Sequence, residues 1–294
     1  MIADLVAILW APFLMCLVLT GIHAYLGVHV LAREVVFVDI AMAQIAALGA
    51  TVAFLVGYEV EMWQSYAYAL GATLIGSVVL ALTRSRRRHV SQEAVIGVVY
   101  AVSSAAAVLV ADRSAHGAEQ VRGMLVGNLL SVTPFEVGKV AVLYALVGAL
   151  HWFCRKPFFL ISTDPDRAWA EGWSVRLWDL LFYASFGVVV ASSVRIGGVL
   201  LVFSYLIVPA LAAVMLGGSI GTRLVVGWAF GTTVSVIGMI ASAALDLPTG
   251  ATVVCAFGVI LVVVGVVSRG RRLLAAGSGA ATAASRFDEG ARPH

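Results

Sequence analysis

The chain is 294 residues long, 61% hydrophobic and only 12% charged, with a formal net charge of +3 and a mean hydropathy of +0.99. A soluble domain needs about 25% charged residues to cover its surface, so a soluble fold is excluded. The composition instead describes an all-α polytopic membrane protein, a transmembrane helical bundle that satisfies its backbone polar groups within its own helices.

Apolar runs recur at residues 5–30, 37–57, 62–83, 94–111, 137–153, 177–194, 198–216, 224–245 and 251–267. At 1.5 Å per residue each is long enough to cross a hydrocarbon core of ~30 Å. They predict nine helices, or eight crossings and one re-entrant piece, within a transmembrane domain over residues 1–268. The first run follows Asp4, an acid where a secretory signal would be positive, so the first helix is expected to be retained. Residues 269–294, rich in Ala, Gly and Ser, are expected to form a disordered tail. Cys16, Cys154 and Cys255 are scattered without metal-ligand or disulfide spacing and read as packing residues.

The short connections carry their Lys and Arg unevenly. With the N-terminus outside, the inner side collects Arg33, Arg84, Arg86, Arg87, Arg88, Arg155, Lys156, Arg167, Arg176, Arg223, Arg269, Arg271 and Arg272. The outer side keeps Arg113, Arg122 and Arg195 beside the acids Glu59, Glu61 and Asp246. Positive residues favour the cytoplasmic side, so the tail is expected in the cytoplasm of a cell bounded by a plasma (inner) membrane.

Polar residues inside the spans are few. His23 and His29 lie in the inner half of the first span, where packing is the default. Asp39 opens the second span, and an acid there is costly unless it faces a cavity or a partner; pairing with Arg33 is the bland alternative. Gln44 suits a hydrogen bond between helices, and Ala41, Ala43, Ala46, Ala47 and Gly49 give the same span a close-packing face. Glu93 opens the fourth span, where a helix N-terminus attracts an acid. His89 sits among arginines and His116 in an outer loop.

One polar stretch, residues 161–176, interrupts the oily middle of the chain. It reads as a short capped helix: Asp164 as N-cap, Pro165 at the first helical position, Asp166 at the positive end, Gly172 to terminate it. Such an element suits docking, or anchoring at the headgroups through Trp169 and Trp173. Asp179, just beyond, is about one turn from Arg176 and is expected to pair with it. Pro209 removes a backbone donor and can kink the seventh span. Asp246 begins a rigid outer turn, Asp-Leu-Pro-Thr-Gly.

Six segments in order carry a resemblance: "LAREVVFVDIAMAQIAALG" (31–49), "EAVIGVVYA" (93–101), "GNLLSVTPFE" (127–136), "DPDRAWAEGWSVRLWDLL" (164–181), "GGVLLVFSYLIVPALAAVML" (197–216) and "DLPTGATVV" (246–254). Across residues 21–267 the chain resembles the integral permeases of the manganese, zinc and iron chelate family of ATP-binding-cassette importers. The resemblance implies a permease that passes a divalent transition metal inward, with no permanently bound cofactor and no nucleic-acid partner. It implies a dimer with itself or a related permease, a cytoplasmic ATP-binding subunit and an extracytoplasmic metal-binding protein. It makes the segment from Asp164 through Pro165, Asp166, Arg167 and Ala168 to Gly172 the coupling helix. Hydrolysis would be delegated, since no G-x-x-x-x-G-K-[ST] loop occurs; Gly217 to Gly221 lacks the lysine.

The same resemblance makes Asp39 a metal ligand, because carboxylate oxygens suit Mn²⁺ and Zn²⁺. Many family members carry a histidine one turn later, and here that position is Ala43, followed by Gln44. Gln44 is the nearby candidate second ligand, with Glu93, Pro209 and Asp246 as candidate pathway residues. An importer of metal chelates or another small solute is one alternative. An ion-coupled secondary transporter using Asp39 and Glu93 is the other, and it has no need of the 164–172 helix.

Overall fold

The computed structural model describes residues 2–59, 61–84, 91–114 and 117–290, and every long element among them is an α-helix. In order these are α1 (Ile2–Ala32), α2 (Val38–Leu55), α3 (Trp63–Leu82), α4 (Gln92–Ala111), the short α5 (Gly117–Val126), a 3-10 turn at Leu129–Ser131, and α6 (Pro134–Phe153). Two short helices follow, α7 (Arg155–Thr163) and α8 (Pro165–Ala170), then α9 (Val175–Leu216), α10 (Ile220–Leu245) and α11 (Thr249–Gly290). Eight of the described helices are long and apolar enough to cross a membrane. Arg86, Arg87, Arg88, His89 and His116, invoked above, lie outside the described residues, as do residues 291–294 and the side chains of Arg271 and Arg272.

The expected boundary at residue 269 is not an end of helix. Backbone helix continues to Gly290 through a stretch rich in Ala, the strongest helix former.

The sixth and seventh predicted crossings are both contained in α9. Gly198 has φ 74° and ψ 164°, outside the helical region, and it divides α9 into two legs. Contacts with α1 show that the chain reverses there. Asp179 of the first leg bonds Arg33 and Ser193 faces His23, so α9 climbs as α1 numbering falls. On the second leg, the Leu206 carbonyl lies so close to Gly27 that a Cβ there would sit 2.1 Å from it, and the Ala210 methyl is beside it. Each leg is long enough to span a bilayer. The break in α9 lies at Gly198, where a residue without Cβ reaches positive φ at no steric cost, and the backbone angles at Pro209 stay helical. Pro209 instead packs its ring toward Gly231 of α10.

α1, α2 and the first leg of α9 form the centre. The first leg is buried on almost every side, from Phe182 and Phe186 to Val189, Val190 and Val194, as befits a helix that is apolar all round. α4, α6, α10 and α11 lie outside it and show apolar faces, such as Val262 and Val266 of α11 at 66% and 68% exposure, suited to lipid. Helix starts follow local chemistry: Thr133 and Glu136 form a reciprocal capping box with Pro134 at the first position of α6. Cys16 is buried, whereas Cys255 is exposed rather than packed.

Candidate functional site: a capped helix, a buried ion cluster and an unpaired carboxylate

α8 is built as its sequence dictates. The Asp164 carboxylate accepts the Arg167 backbone N–H at 3.0 Å, and Pro165 occupies the first helical position, where no backbone donor is needed. At the other end Gly172 takes φ 80°. Its N–H donates to Trp169 O at 3.2 Å and the Trp173 N–H to Ala168 O at 3.0 Å, the two bonds of a Schellman stop. Ala168 is fully buried against Ile161 of α7 and Val175 of α9. Asp164, Asp166, Arg167 and Glu171 face outward. Arg167 donates to Glu171 at 2.7 Å across one turn, and this bond, with a second from the Trp173 indole, holds the Glu171 carboxyl below the usual glutamate range.

Beneath α8 lies a buried ion cluster. Arg33 follows the last turn of α1 with its side chain fully buried; its Nη1 donates to Asp179 Oδ1 at 2.6 Å and its Nε to Ser162 Oγ of α7 at 2.8 Å. The guanidinium carbon stands 3.9 Å from the centre of the Phe182 ring, and Arg84, just past α3, lies 3.5 Å from Asp179 Oδ2. The expected Arg176–Asp179 pair is corrected: Arg176 is exposed and donates to the Arg84 carbonyl at 3.4 Å. Buried histidines stitch neighbouring helices together. His29 shares a hydrogen bond with Ser162 at 2.9 Å, His151 with Ser185 at 2.8 Å, and His23 with Ser193 at 3.3 Å. His151 was not singled out in the sequence; its position in the last turn of an apolar span was the only signal.

With Arg33 committed to Asp179, the proposed Arg33–Asp39 pair falls away. Asp39, in the first turn of α2, is 1% exposed, and neither of its carboxylate oxygens has a hydrogen-bond partner among the described residues. The positive end of the helix is its nearest compensation. Glu93 reaches that same helix end from α4: its Oε1 accepts the Phe37 backbone N–H at 3.0 Å, so Glu93 ties the starts of α2 and α4 together. Gln44, five residues past Asp39, lies about 140° around the helix from it at 100° per residue, so the two side chains do not share a face. No group of three or more His, Cys, Asp and Glu gathers as a metal cage among the described residues.

At the opposite end from α8 is a cavity of about 530 Å³ between α2, α3, α5 and α9. Small residues, among them Ala46, Ala50, Ala69 and Ala191, shape its walls, and Glu61, Glu119, Asn128 and Arg195 stand around it. Its floor at Ala46 is two turns above Asp39. Between them Met42 is fully buried, and Gly187 of α9 faces both the Met42 methyl and Thr73 of α3. Where α5 meets the α9 turn, Gly127 and Gly198 touch backbone to backbone: a Cβ on Gly198 would lie 2.5 Å from Gly127 N, and the Asn128 N–H donates to Ile196 O at 2.9 Å. Asp246, the exposed left-handed cap of α10, and Pro209 do not line the cavity.

Comparison with known proteins accords with this architecture. The chain is similar to a "Probable iron transport system membrane protein" of Haemophilus influenzae, 32% identical over 136 residues, which are 46% of this chain and half the length of that relative. It is similar to a manganese transport system membrane protein of Listeria innocua, 25% identical over 205 residues covering 69% of this chain and 72% of the relative. Among solved structures, PsaBC from Streptococcus pneumoniae in complex with Fab superposes with a TM-score of 0.73 at 18% identity, covering 90% of this chain and 95% of that one; this likeness shows the fold. The model of the ABC 3 transport family matches residues 6–268, nearly the whole helical bundle, and the chain belongs to that family.

Proposed function

We propose that the protein is the membrane permease of an ATP-binding-cassette importer for a divalent transition metal. The observation that carries the reading is α8: a helix capped at both ends, seated on two other helices by one alanine and turning its charged face outward, as a surface for a separate ATP-binding subunit requires. The names of the relatives, iron and manganese transport system membrane proteins, support the cargo, and so does Asp39, a buried carboxyl whose oxygens have no hydrogen-bond partner among the described residues. In this reading α8 and the C-terminus face the cytoplasm, and the N-terminus and the Ala-walled cavity face outside, where an extracytoplasmic binding protein delivers the metal. The permease pairs with a second copy or a related chain, in the plasma (inner) membrane.

The test is uptake and ATPase activity of the reconstituted complex with Mn²⁺, Zn²⁺ and Fe²⁺ in turn. Stimulation by at least one, lost when 164–172 is replaced by a flexible linker, is the expected result. Metal uptake that survives that replacement and needs no ATP would overturn the reading in favour of an ion-coupled carrier. A metal chelate is the second reading of the cargo, favoured by Ala43 in place of the family's histidine and by the cavity's size. A volume of 530 Å³ is many times the ~30 Å³ share of one water, far more than a bare ion fills. Competition between free metal and chelated metal for uptake separates the two.

A further inference from the structure

We infer that Arg33 is the joint through which movement of α8 reaches the start of α2, a positioning role in transport that rests on the reading of α8 as the docking helix. Ser162 is the penultimate residue of α7, two residues before the Asp164 cap, and Asp179 lies in the second turn of α9, the helix that follows α8. One guanidinium holds both, Ser162 at 2.8 Å and Asp179 at 2.6 Å, so it grips the chain on its way into α8 and on its way out. Because Ala168 is buried between Ile161 and Val175, α8 and these two flanks form one packed block. That block is clasped to α1 by two buried side chains, His29 through Ser162 alone and Arg33 through both flanks of α8.

The other side of the joint is equally short. From Arg33 the chain turns into α2 within five residues, through Glu34 at φ 57° and a series of tight backbone bonds, Val35 N–H to Val30 O at 3.2 Å and Val38 N–H to Val35 O at 3.1 Å. A turn so closely bonded passes on displacement rather than absorbing it. Asp39 sits in the first turn beyond, and Glu93 fixes the same helix start from α4. A push on α8 therefore displaces the end of α1 and, with it, the carboxylate of α2. Arginine suits the place because its planar fork offers separate donors to two acceptors while stacking on Phe182; a lysine ammonium has no such fork.

The decisive variant is the pair Arg33→Gln with Asp179→Asn. Removing both charges leaves neither ion buried alone, the condition that makes single deletions so destabilising. In the complete complex with its ATPase, we expect the double variant to insert, bind the ATPase and hydrolyse ATP, with metal carried per ATP reduced tenfold or more. Wild-type metal per ATP in this variant overturns the proposal. A double variant that does not reach the membrane moves the decision to Arg33→Lys, which keeps the charge pair and loses the fork: a several-fold fall in metal per ATP at unchanged unfolding temperature supports the joint, and an unchanged ratio overturns it. A flexible linker in place of 164–172 runs in parallel. If the linker protein still imports metal with ATP, the docking reading itself fails; if the linker abolishes import and the double variant does not, only the joint at Arg33 fails.

Discussion

Asp179 and Asp39 are both buried carboxylates, one in the second turn of α9 and one in the first turn of α2, yet their surroundings are opposite. Asp179 is held by one arginine at 2.6 Å and approached by a second at 3.5 Å, while Asp39 meets no hydrogen-bond donor at all among the described residues. A buried charge is costly wherever it sits. When the protein supplies the compensation, the residue holds structure; when it does not, a stability argument cannot explain why an acid stands there. Burial alone would have put the two in one class, and the company each keeps separates them.

The comparison breaks most readily at Asp179. Asp179→Ala strands Arg33 without its partner, and a loss of about 3–5 kcal/mol is expected, read as a large fall in unfolding temperature of the detergent-solubilised protein. A variant as stable as wild type would mean that the pair is worth no more than its replacement. Asp39→Asn should behave in the contrary way. Its fold is expected to be as stable as wild type or more so, because the amide needs no counter-charge, while metal uptake falls tenfold or more, about 1.4 kcal/mol of barrier or binding. Unchanged uptake kinetics would remove Asp39 from the pathway.

Ala43→His sharpens the Asp39 side. The two positions lie one turn apart on one face, so the substitution rebuilds an Asp–His pair and is expected to shift preference several-fold toward Zn²⁺ over Mn²⁺, measured by competitive uptake. Ala43 is only 1% exposed, so overpacking of about 1–3 kcal/mol accompanies the gain. The smallest effect belongs to Glu171, a paired carboxylate in water rather than in the core. Its folded value is lowered, first by the Arg167 bond and then by Trp173. The contribution is therefore complete above the unfolded glutamate value of about 4.3 and lost as pH falls below it. Glu171→Gln should leave stability at neutral pH nearly unchanged and flatten this acid limb slightly; a marked loss at pH 7 would show the exposed pair to matter more than solvent screening permits.

The long spans and α8 were legible in the sequence because their determinants are local. Hydropathy over one window marks a crossing, and Asp164, Pro165 and Gly172 carry the two caps of α8 within nine residues. The Arg33–Asp179 bond was not legible, since its partners are 146 positions apart and the neighbour one turn away, Arg176, offered a plausible local substitute. Pro209 drew attention as a helix breaker, but a membrane helix tolerates proline, and the true break at Gly198 depends on the approach of Gly127 from a distant segment. Gln44 looked available beside Asp39 in one dimension and turns away from it in three. The cavity was only half legible: its small residues could be counted, but not which helices would leave space between them.

The reversal at Gly198 has a consequence that is simply one of parity. Eight uninterrupted crossings would return the last helix to the face from which the first one set out; folding α9 back on itself adds one more and makes the number odd. In the proposed orientation α1 then begins on the side of the cavity and α11 leaves on the side of α8. In that reading, the side that α1 and α11 each reach is set by the backbone angle of a single residue without a side chain, far from both helices along the chain.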